Sequence, residues 1–279
     1  MPTPAILSTK YGLLVLSTVL IAAAGYIIND ILDQETDSDN RPESAIVGKS
    51  ISVKVAYNLY FVLNIAGVGI GYYLANVINK PSFAGAFIII SATLYMYATS
   101  LKQMLIIGNV IVALLLSFSV LIIGLFYLLP STYEGNQAEM GVMFSILIDY
   151  AIFAFIINLI REIIKDMEDF TGDYNHGMST LPIALGVSRT SKVVGVLGII
   201  ATLILLWYIN SNLMLSKLYY AVIYGLLFIV APMIFVVVKI WNAKEKEEFR
   251  LLSTVLKWVI FFGILSILVI TLNIKYANG

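Results

Sequence analysis

The sequence predicts an all-α protein, a multi-pass bundle of transmembrane helices. Hydrophobic residues make up 60% of the 279 positions, and charged residues only 12%, where a soluble domain has about 25%. Eight apolar runs are each long enough, or nearly long enough, to cross a bilayer. Because only helices satisfy their backbone hydrogen bonds in lipid at such lengths, each run is predicted to be a helix.

The eight predicted spans follow one another with short connections. The first leads directly into an acidic segment, which favours a retained helix over a cleaved signal peptide. The ends of the third span are the least certain to place, and none of the connections is long enough to fold separately. The chain is therefore predicted to be a single domain, residues 1–279. The spans are predicted at residues 11–28, 55–78, 83–101, 105–129, 143–164, 192–210, 217–239 and 254–274.

The lysines and arginines predict the orientation of the bundle. When alternate connections are grouped, 13 of the 17 fall on one side. The positive-inside rule places that side in the cytoplasm and both chain ends outside. The sequence thus predicts a multi-pass integral protein, in the cytoplasmic membrane.

Composition also limits the chemistry. The net charge is zero, so nothing indicates nucleic acid as a partner. The absence of cysteine excludes disulfides, thiolate nucleophiles and cysteine-ligated metals, and a single histidine, His176, excludes a histidine-rich metal site. Any metal site must use oxygen ligands, which favours Mg²⁺, Ca²⁺ or Mn²⁺.

Two acidic segments with the same spacing interrupt the apolar chain. The first acidic cluster is residues 29–37 and the second is residues 165–173. Each has aspartates at i, i+3 and i+7, which share one face of a helix. Each follows the end of a span, on the side predicted to be cytoplasmic. One such cluster alone is explained equally well as a solvated loop. Two clusters together favour carboxylates that bind divalent metal ions, which in turn bind a diphosphate. The aspartates are Asp30, Asp33 and Asp37, and Asp166, Asp169 and Asp173. Internal duplication and convergence explain the shared spacing equally well.

Basic residues near the clusters are candidate ligands for phosphate oxygens. Arg161 and Lys165 precede Asp169 on the same predicted helix, which favours a functional role. Arg41 and Lys102 are as easily explained by anchoring at the membrane surface. For the basic residues between 239 and 257, anchoring is the preferred interpretation.

Three further polar residues are candidates. Asn29 comes one helical turn before Asp33 and is expected to supply an amide oxygen to the same metal. Asn109 lies inside an apolar span, where it either lines a cavity or ties two helices together. His176 could act as a base, although a structural role is the more common one for a histidine in a polar loop.

The two clusters carry a family resemblance. Asn29-Asp30-x-x-Asp33-x-x-x-Asp37, followed by Asn40-Arg41-Pro42, resembles the first signature of the UbiA superfamily of intramembrane prenyltransferases. Arg161-Glu162-x-x-Lys165-Asp166-x-x-Asp169-x-x-Gly172-Asp173, followed by Ser179-Thr180-Leu181-Pro182, resembles the second. The second motif and residues 101–109 look most like the geranylgeranylglycerol-phosphate geranylgeranyltransferase branch.

The resemblance implies a fold and a reaction. It implies a helical bundle around a lipid-open cavity, with two Mg²⁺ ions. The expected metal ligands are Asn29, Asp33, Asp37, Asp166, Asp169 and Asp173, and Asp30 is expected to be catalytic with the other aspartates. A prenyl group, geranylgeranyl in that branch, is transferred from an isoprenyl diphosphate to a lipid or aromatic acceptor, on the cytoplasmic side. Tyr97 and Lys102 are implied to help bind the diphosphate. The family normally has nine spans, so the first helix is expected to be missing here.

Three other interpretations stay open. The same mechanism could prenylate an aromatic quinone precursor. A cation transporter would need ionisable residues near the bilayer midplane, and Asp149 is the main acidic residue inside a span. The third alternative is an inactive scaffold derived from a prenyltransferase.

Overall fold

The computed structural model describes residues 4–40 and 46–277, which are helical for most of their length. Side chains of residues 4–8, 38–40 and 277 are outside the description. The helices are α1 Pro4–Leu32, α2 Gln34–Asn40, α3 Val53–Val77, α4 Ala84–Thr99, α5 Ile107–Ile123, α6 Gln137–Glu168, α7 Phe170–Asn175, α8 Leu181–Leu185, α9 Val187–Tyr208, α10 Tyr219–Gly225, α11 Ala231–Ile240 and α12 Lys246–Ala277. Short 3₁₀ or π turns extend or connect several of them.

Eight of the helical segments in the described ranges are long and apolar enough to cross a membrane, which confirms the predicted number. The third, Pro81–Thr99, is the shortest of these eight. The fifth and eighth begin earlier than predicted, at Gln137 and Lys246. The hydrophobic pattern detects only lipid-embedded turns, whereas helical hydrogen bonds continue into the polar turns at their ends.

The chain divides into two compact units, Met1–Ile152 and Phe153–Gly279. In the first, α1 packs closely on α3. A Cβ added at Gly67 would lie 2.7 Å from Cγ1 of Ile21, and the buried Ser17 hydroxyl donates a hydrogen bond to the Gly67 carbonyl over 2.7 Å. Glycine therefore allows the two backbones to approach, as is common between membrane helices. The predicted single domain stays a prediction.

The second unit has the largest buried cluster of the described residues. The C-terminal part of α6, from residue 153, contributes Ile160, Ile163 and Ile164, and α12 contributes Leu252 and Leu256; all five are at most 1% exposed. Apolar side chains elsewhere remain outside the core, as on Trp207, which is 68% exposed. Such outward apolar surface is expected of helices that face lipid.

Candidate functional site

The first acidic cluster lies where a membrane helix gives way to a short one. Asp33 is the single residue between α1 and α2. Helical hydrogen bonding continues across it, from the Asp33 N–H to the Asn29 carbonyl over 2.9 Å and from the Asp37 N–H to the Asp33 carbonyl over 2.7 Å. The predicted shared face is thereby kept. The side chains of Asp30, Asp33 and Asp37 are all half-buried, and an amide hydrogen of Asn29 is donated to Asp33 Oδ2 over 2.7 Å.

Lys102 reaches the first cluster from a distant part of the chain. It lies in the 3₁₀ turn Leu101–Gln103, which connects α4 towards α5, and its ammonium forms an ion pair with Asp33 Oδ1. Both side chains are largely shielded from solvent in the first unit. The structure thus brings one proposed phosphate ligand against one proposed metal ligand.

Gly108 sets the position of the Lys102 backbone. It is buried in the first turn of α5, and a Cβ built on it would lie 2.9 Å from the Lys102 Cα and 3.0 Å from the Leu101 carbonyl oxygen. Real Cβ atoms essentially never come that close to backbone, so any larger residue must push the 3₁₀ turn away.

We expect Gly108→Ala to move Lys102 away from Asp33. Because misplacing a substrate-binding group by about 1 Å can lower activity by about 10²-fold, the variant should lose about 10- to 100-fold in kcat/KM while still folding. Steady-state kinetics and a melting curve would measure both effects. Gly85→Ala is the matched control, since a Cβ at Gly85 meets nothing within 4 Å. Equal activity in both variants would contradict this role.

The second acidic cluster repeats the geometry of the first. Asp169 is the single residue between α6 and α7. Its N–H donates to the Lys165 carbonyl over 2.9 Å, and its carbonyl accepts from the Asp173 N–H over 3.1 Å. Asp166 and Asp169 are half-buried and Asp173 is buried. Both clusters therefore place their middle aspartate at a one-residue interruption of a hydrogen-bonded helix.

Arg161 and Lys165 share a carboxylate that sequence reasoning overlooked. Glu162 is buried at 7% exposure. Its two oxygens accept hydrogen bonds from Arg161 Nη1 over 2.8 Å and from Lys165 Nζ over 3.1 Å. The i, i+3 spacing of Glu162 and Lys165 was the available signal. Glu162 orients two of the proposed phosphate ligands.

Several buried polar atoms in the signature motifs have no hydrogen-bond partner within the described ranges. They are Asn29 Oδ1, Arg161 Nε and Thr180 Oγ1. Buried polar groups are normally satisfied, and one left unpaired costs about 1–3 kcal/mol. An amide oxygen is a hard ligand suited to Mg²⁺, and a guanidinium N–H is a donor suited to phosphate. The Asn29 oxygen is therefore suited to a metal ion, and the Arg161 N–H is suited to a phosphate oxygen.

A preformed carboxylate cage is not evident. In the part of the chain that the structure describes, no group of three or more His, Cys, Asp or Glu side chains is placed to hold a metal ion. Mg²⁺ usually keeps several waters and binds through one or two carboxylates together with substrate phosphates. A group of three carboxylates is therefore not required for Mg²⁺.

The remaining predicted residues lie in the following places. Tyr97 is half-buried on α4, and Asn109 is buried in the first turn of α5. His176 is exposed, and its Nδ1 lies 2.9 Å from the Gly172 carbonyl oxygen, as in a structural role. Arg41 lies outside the described residues.

Comparison with known proteins gives a consistent result. The model of the UbiA prenyltransferase family matches residues 2–270. Digeranylgeranylglyceryl phosphate synthase of Korarchaeum cryptofilum is 34% identical over 189 residues, 67% of this chain and 59% of that protein. The chain thus aligns with about three fifths of that relative's length. The synthase of the same name from Thermococcus kodakarensis is 30% identical over an alignment that covers 94% of this chain and 86% of that protein.

A solved structure shares the fold. It is that of a UbiA homolog from Archaeoglobus fulgidus bound to DMAPP and Mg²⁺, which matches with a TM-score of 0.56 at 17% identity. The match covers 92% of this chain and 87% of that one. The predicted all-α multi-pass architecture is confirmed.

Proposed function

The chain belongs to the UbiA prenyltransferase family, and from that premise we propose that it catalyses Mg²⁺-dependent prenyl transfer. The donor is an isoprenyl diphosphate, and the acceptor is geranylgeranylglyceryl phosphate, a lipid. Relatives named digeranylgeranylglyceryl phosphate synthase support the acceptor and a geranylgeranyl donor. The homolog bound to DMAPP and Mg²⁺ supports the diphosphate and the metal.

One observation from the structure supports the proposal most strongly. The partnerless buried atoms of Asn29, Arg161 and Thr180 all belong to the two signature motifs. Asn29 and Arg161 lie near the C-terminal ends of α1 and α6, and Thr180 directly precedes α8. A bound metal–diphosphate would supply the partners that they lack.

In the proposed reaction, the allylic C1–O bond of the diphosphate breaks and its electron pair leaves with the diphosphate. Mg²⁺, of which we propose two ions, supplies electrostatic stabilisation of the negative charge that builds there. The metal would be held by Asn29, Asp33, Asp37, Asp166, Asp169 and Asp173, and Asp30 is a further proposed catalytic residue. Arg41, Lys102, Arg161 and Lys165 would bind the phosphate oxygens, and Tyr97 and Asn109 are further proposed substrate-binding residues. The acceptor hydroxyl oxygen then bonds to C1 of the allylic carbocation and releases its proton to solvent, giving an ether.

The proposed location follows from charge. The cytoplasmic excess of Lys and Arg puts both acidic clusters at the inner surface of the cytoplasmic membrane. A water-soluble diphosphate head would reach the metal ligands there, while its prenyl tail stays among the apolar helices. Prenyl diphosphates are therefore expected to bind from the cytoplasmic side.

Product analysis tests this function. Purified protein in lipid nanodiscs would be incubated with geranylgeranyl diphosphate, Mg²⁺ and either geranylgeranylglyceryl phosphate or an aromatic acid, and the products identified by mass spectrometry. We expect the ether product with the lipid acceptor and its loss in EDTA. If only the aromatic acid is prenylated, the acceptor is aromatic and the proposed lipid acceptor is wrong. If neither acceptor is prenylated, the proposed function is overturned.

Replacing Thr180 is expected to change the stability of the ligand-free protein and its stabilisation by ligand in different directions. It is 3% exposed, so Thr180→Val removes a buried, unpaired hydroxyl. The ligand-free protein should be unchanged or more stable, by up to about 1–3 kcal/mol, whereas stabilisation by Mg²⁺ with a prenyl thiodiphosphate should decrease. Thr180→Ser keeps the hydroxyl and should retain most of the ligand effect. Thermal melts would measure both quantities. A less stable Thr180→Val protein with an undiminished ligand effect would contradict the role.

A further inference from the structure

Arg250 makes a specific contact beside the second acidic cluster. It lies near the start of α12, among the basic residues that the sequence assigned to membrane anchoring. Its Nε donates a hydrogen bond to Glu168 Oε1 over 3.1 Å. Glu168 is the last residue of α6, directly before Asp169, and it is 8% exposed.

Glu168 lies on a different face of its helix from the aspartates. At 100° per residue, it is about 130° around the helix from the mean direction of Asp166, Asp169 and Asp173. On the other side of Glu168, centred about 90° from it, is the apolar face of Ile160, Ile163, Ile164 and Met167, which belong to the same buried cluster as Phe249 and Leu252 of α12. Glu168 therefore stands at the edge of the contact with α12, where Arg250 meets it.

The hydrogen bond between Arg250 and Glu168 differs in kind from the apolar contact beside it. The apolar contact between α6 and α12 is non-directional, because hydrophobic side chains tolerate small sliding and turning. A charge-assisted hydrogen bond at its edge is directional. It joins Arg250 to the residue immediately before the helix interruption at Asp169, so it limits how far the end of α6 can turn about its axis.

We propose that Arg250 is a positioning residue for the second acidic cluster. By holding Glu168 against α12, it sets the direction of the aspartates on the other face of the helix end, and it keeps the Glu168 carboxylate away from the metal. This inference rests on the proposed function, since it assumes that these aspartates bind metal.

The test measures metal binding apart from turnover. Full-length protein and Arg250→Ala would be titrated with Mn²⁺ and a prenyl thiodiphosphate and followed by electron paramagnetic resonance. Removal of a group that orients metal ligands typically weakens metal binding or activity about 10- to 100-fold, so we expect at least a tenfold loss of Mn²⁺ affinity and of kcat/KM. Arg250→Lys should recover part of both. Lys257→Ala, an exposed change on the same helix, should change neither.

A double variant separates positioning from charge balance. Arg250→Ala leaves Glu168 without its guanidinium, which can destabilise the fold. In Arg250→Ala/Glu168→Gln the buried charge is gone, so stability should return while Mn²⁺ binding stays weak. Wild-type Mn²⁺ binding in either variant would overturn the inference. If instead the wild-type protein bound Mn²⁺ and the variants did not, but no prenyl transfer occurred, the proposed function would fail and the positioning role would stand.

Discussion

Replacing Asp33 or Asp169 with alanine is expected to lower kcat/KM for prenyl transfer by about 10³-fold or more. Each is the middle aspartate of its cluster, placed at the helix interruption between a membrane helix and a short one. Loss of a metal ligand removes stabilisation of the departing diphosphate, and about 4 kcal/mol of lost stabilisation corresponds to a factor of about 10³. The measurement is Mg²⁺-dependent product formation by purified protein.

The matched control for these variants is Asp149→Asn. Asp149 is a half-buried carboxylate inside α6, outside both clusters. It should keep close to wild-type activity, since no role in the reaction is assigned to it. Retained turnover in Asp33→Ala or Asp169→Ala would count against the metal role, and a cation transporter would instead be expected to depend on Asp149.

Lys102→Met is expected to have two effects of opposite sign. Lys102 forms an ion pair with Asp33, a proposed metal ligand, so its ammonium competes with a cation for that carboxylate. Without Lys102, Mn²⁺ should bind the ligand-free protein at least as tightly as before. Prenyl diphosphate should bind more weakly, by about 10- to 100-fold, because a hydrogen bond to a charged group contributes about 1.5–3 kcal/mol.

Titrations with Mn²⁺ alone and with prenyl thiodiphosphate would separate these effects. Lys102→Arg should retain part of the diphosphate affinity, although the planar guanidinium of arginine places its N–H donors differently from the lysine ammonium. Lys80→Met, an exposed lysine before the 3₁₀ turn Pro81–Phe83, is the control and should leave both affinities unchanged. Weaker metal binding in Lys102→Met, with diphosphate affinity unaffected, would show that the lysine serves only the fold.

Hydrophobicity was sufficient to predict the architecture. A membrane leaves few alternatives to a helix, so the number and order of the spans follow from apolar runs alone. The ends were less accurate: α12 begins at Lys246, eight residues before the predicted span at 254. Charged turns continue a helix without adding hydrophobicity, and composition alone does not distinguish them from a loop.

Only the geometry within each acidic cluster was predictable from the sequence. The i, i+3, i+7 spacing predicts that Asp30, Asp33 and Asp37 share a helix face, and helical hydrogen bonds do connect Asn29, Asp33 and Asp37. The interruption at Asp33 was not visible, because the residues on both sides are compatible with a continuous helix. Pairings such as Lys102 with Asp33, or Arg250 with Glu168, join residues 69 and 82 positions apart. Such contacts depend on helix packing, which a single sequence does not encode in any short pattern.

The most direct test of the account is a double-variant cycle on the two clusters. The central claim is that both bind one metal-bound diphosphate, and residues that act as a unit show strongly non-additive effects. kcat/KM would be measured for Asp33→Asn, Asp169→Asn and the double variant. The account predicts that kcat/KM of the double variant is scarcely lower than that of the less active single variant. Losses in activation free energy that simply add would contradict a joint site.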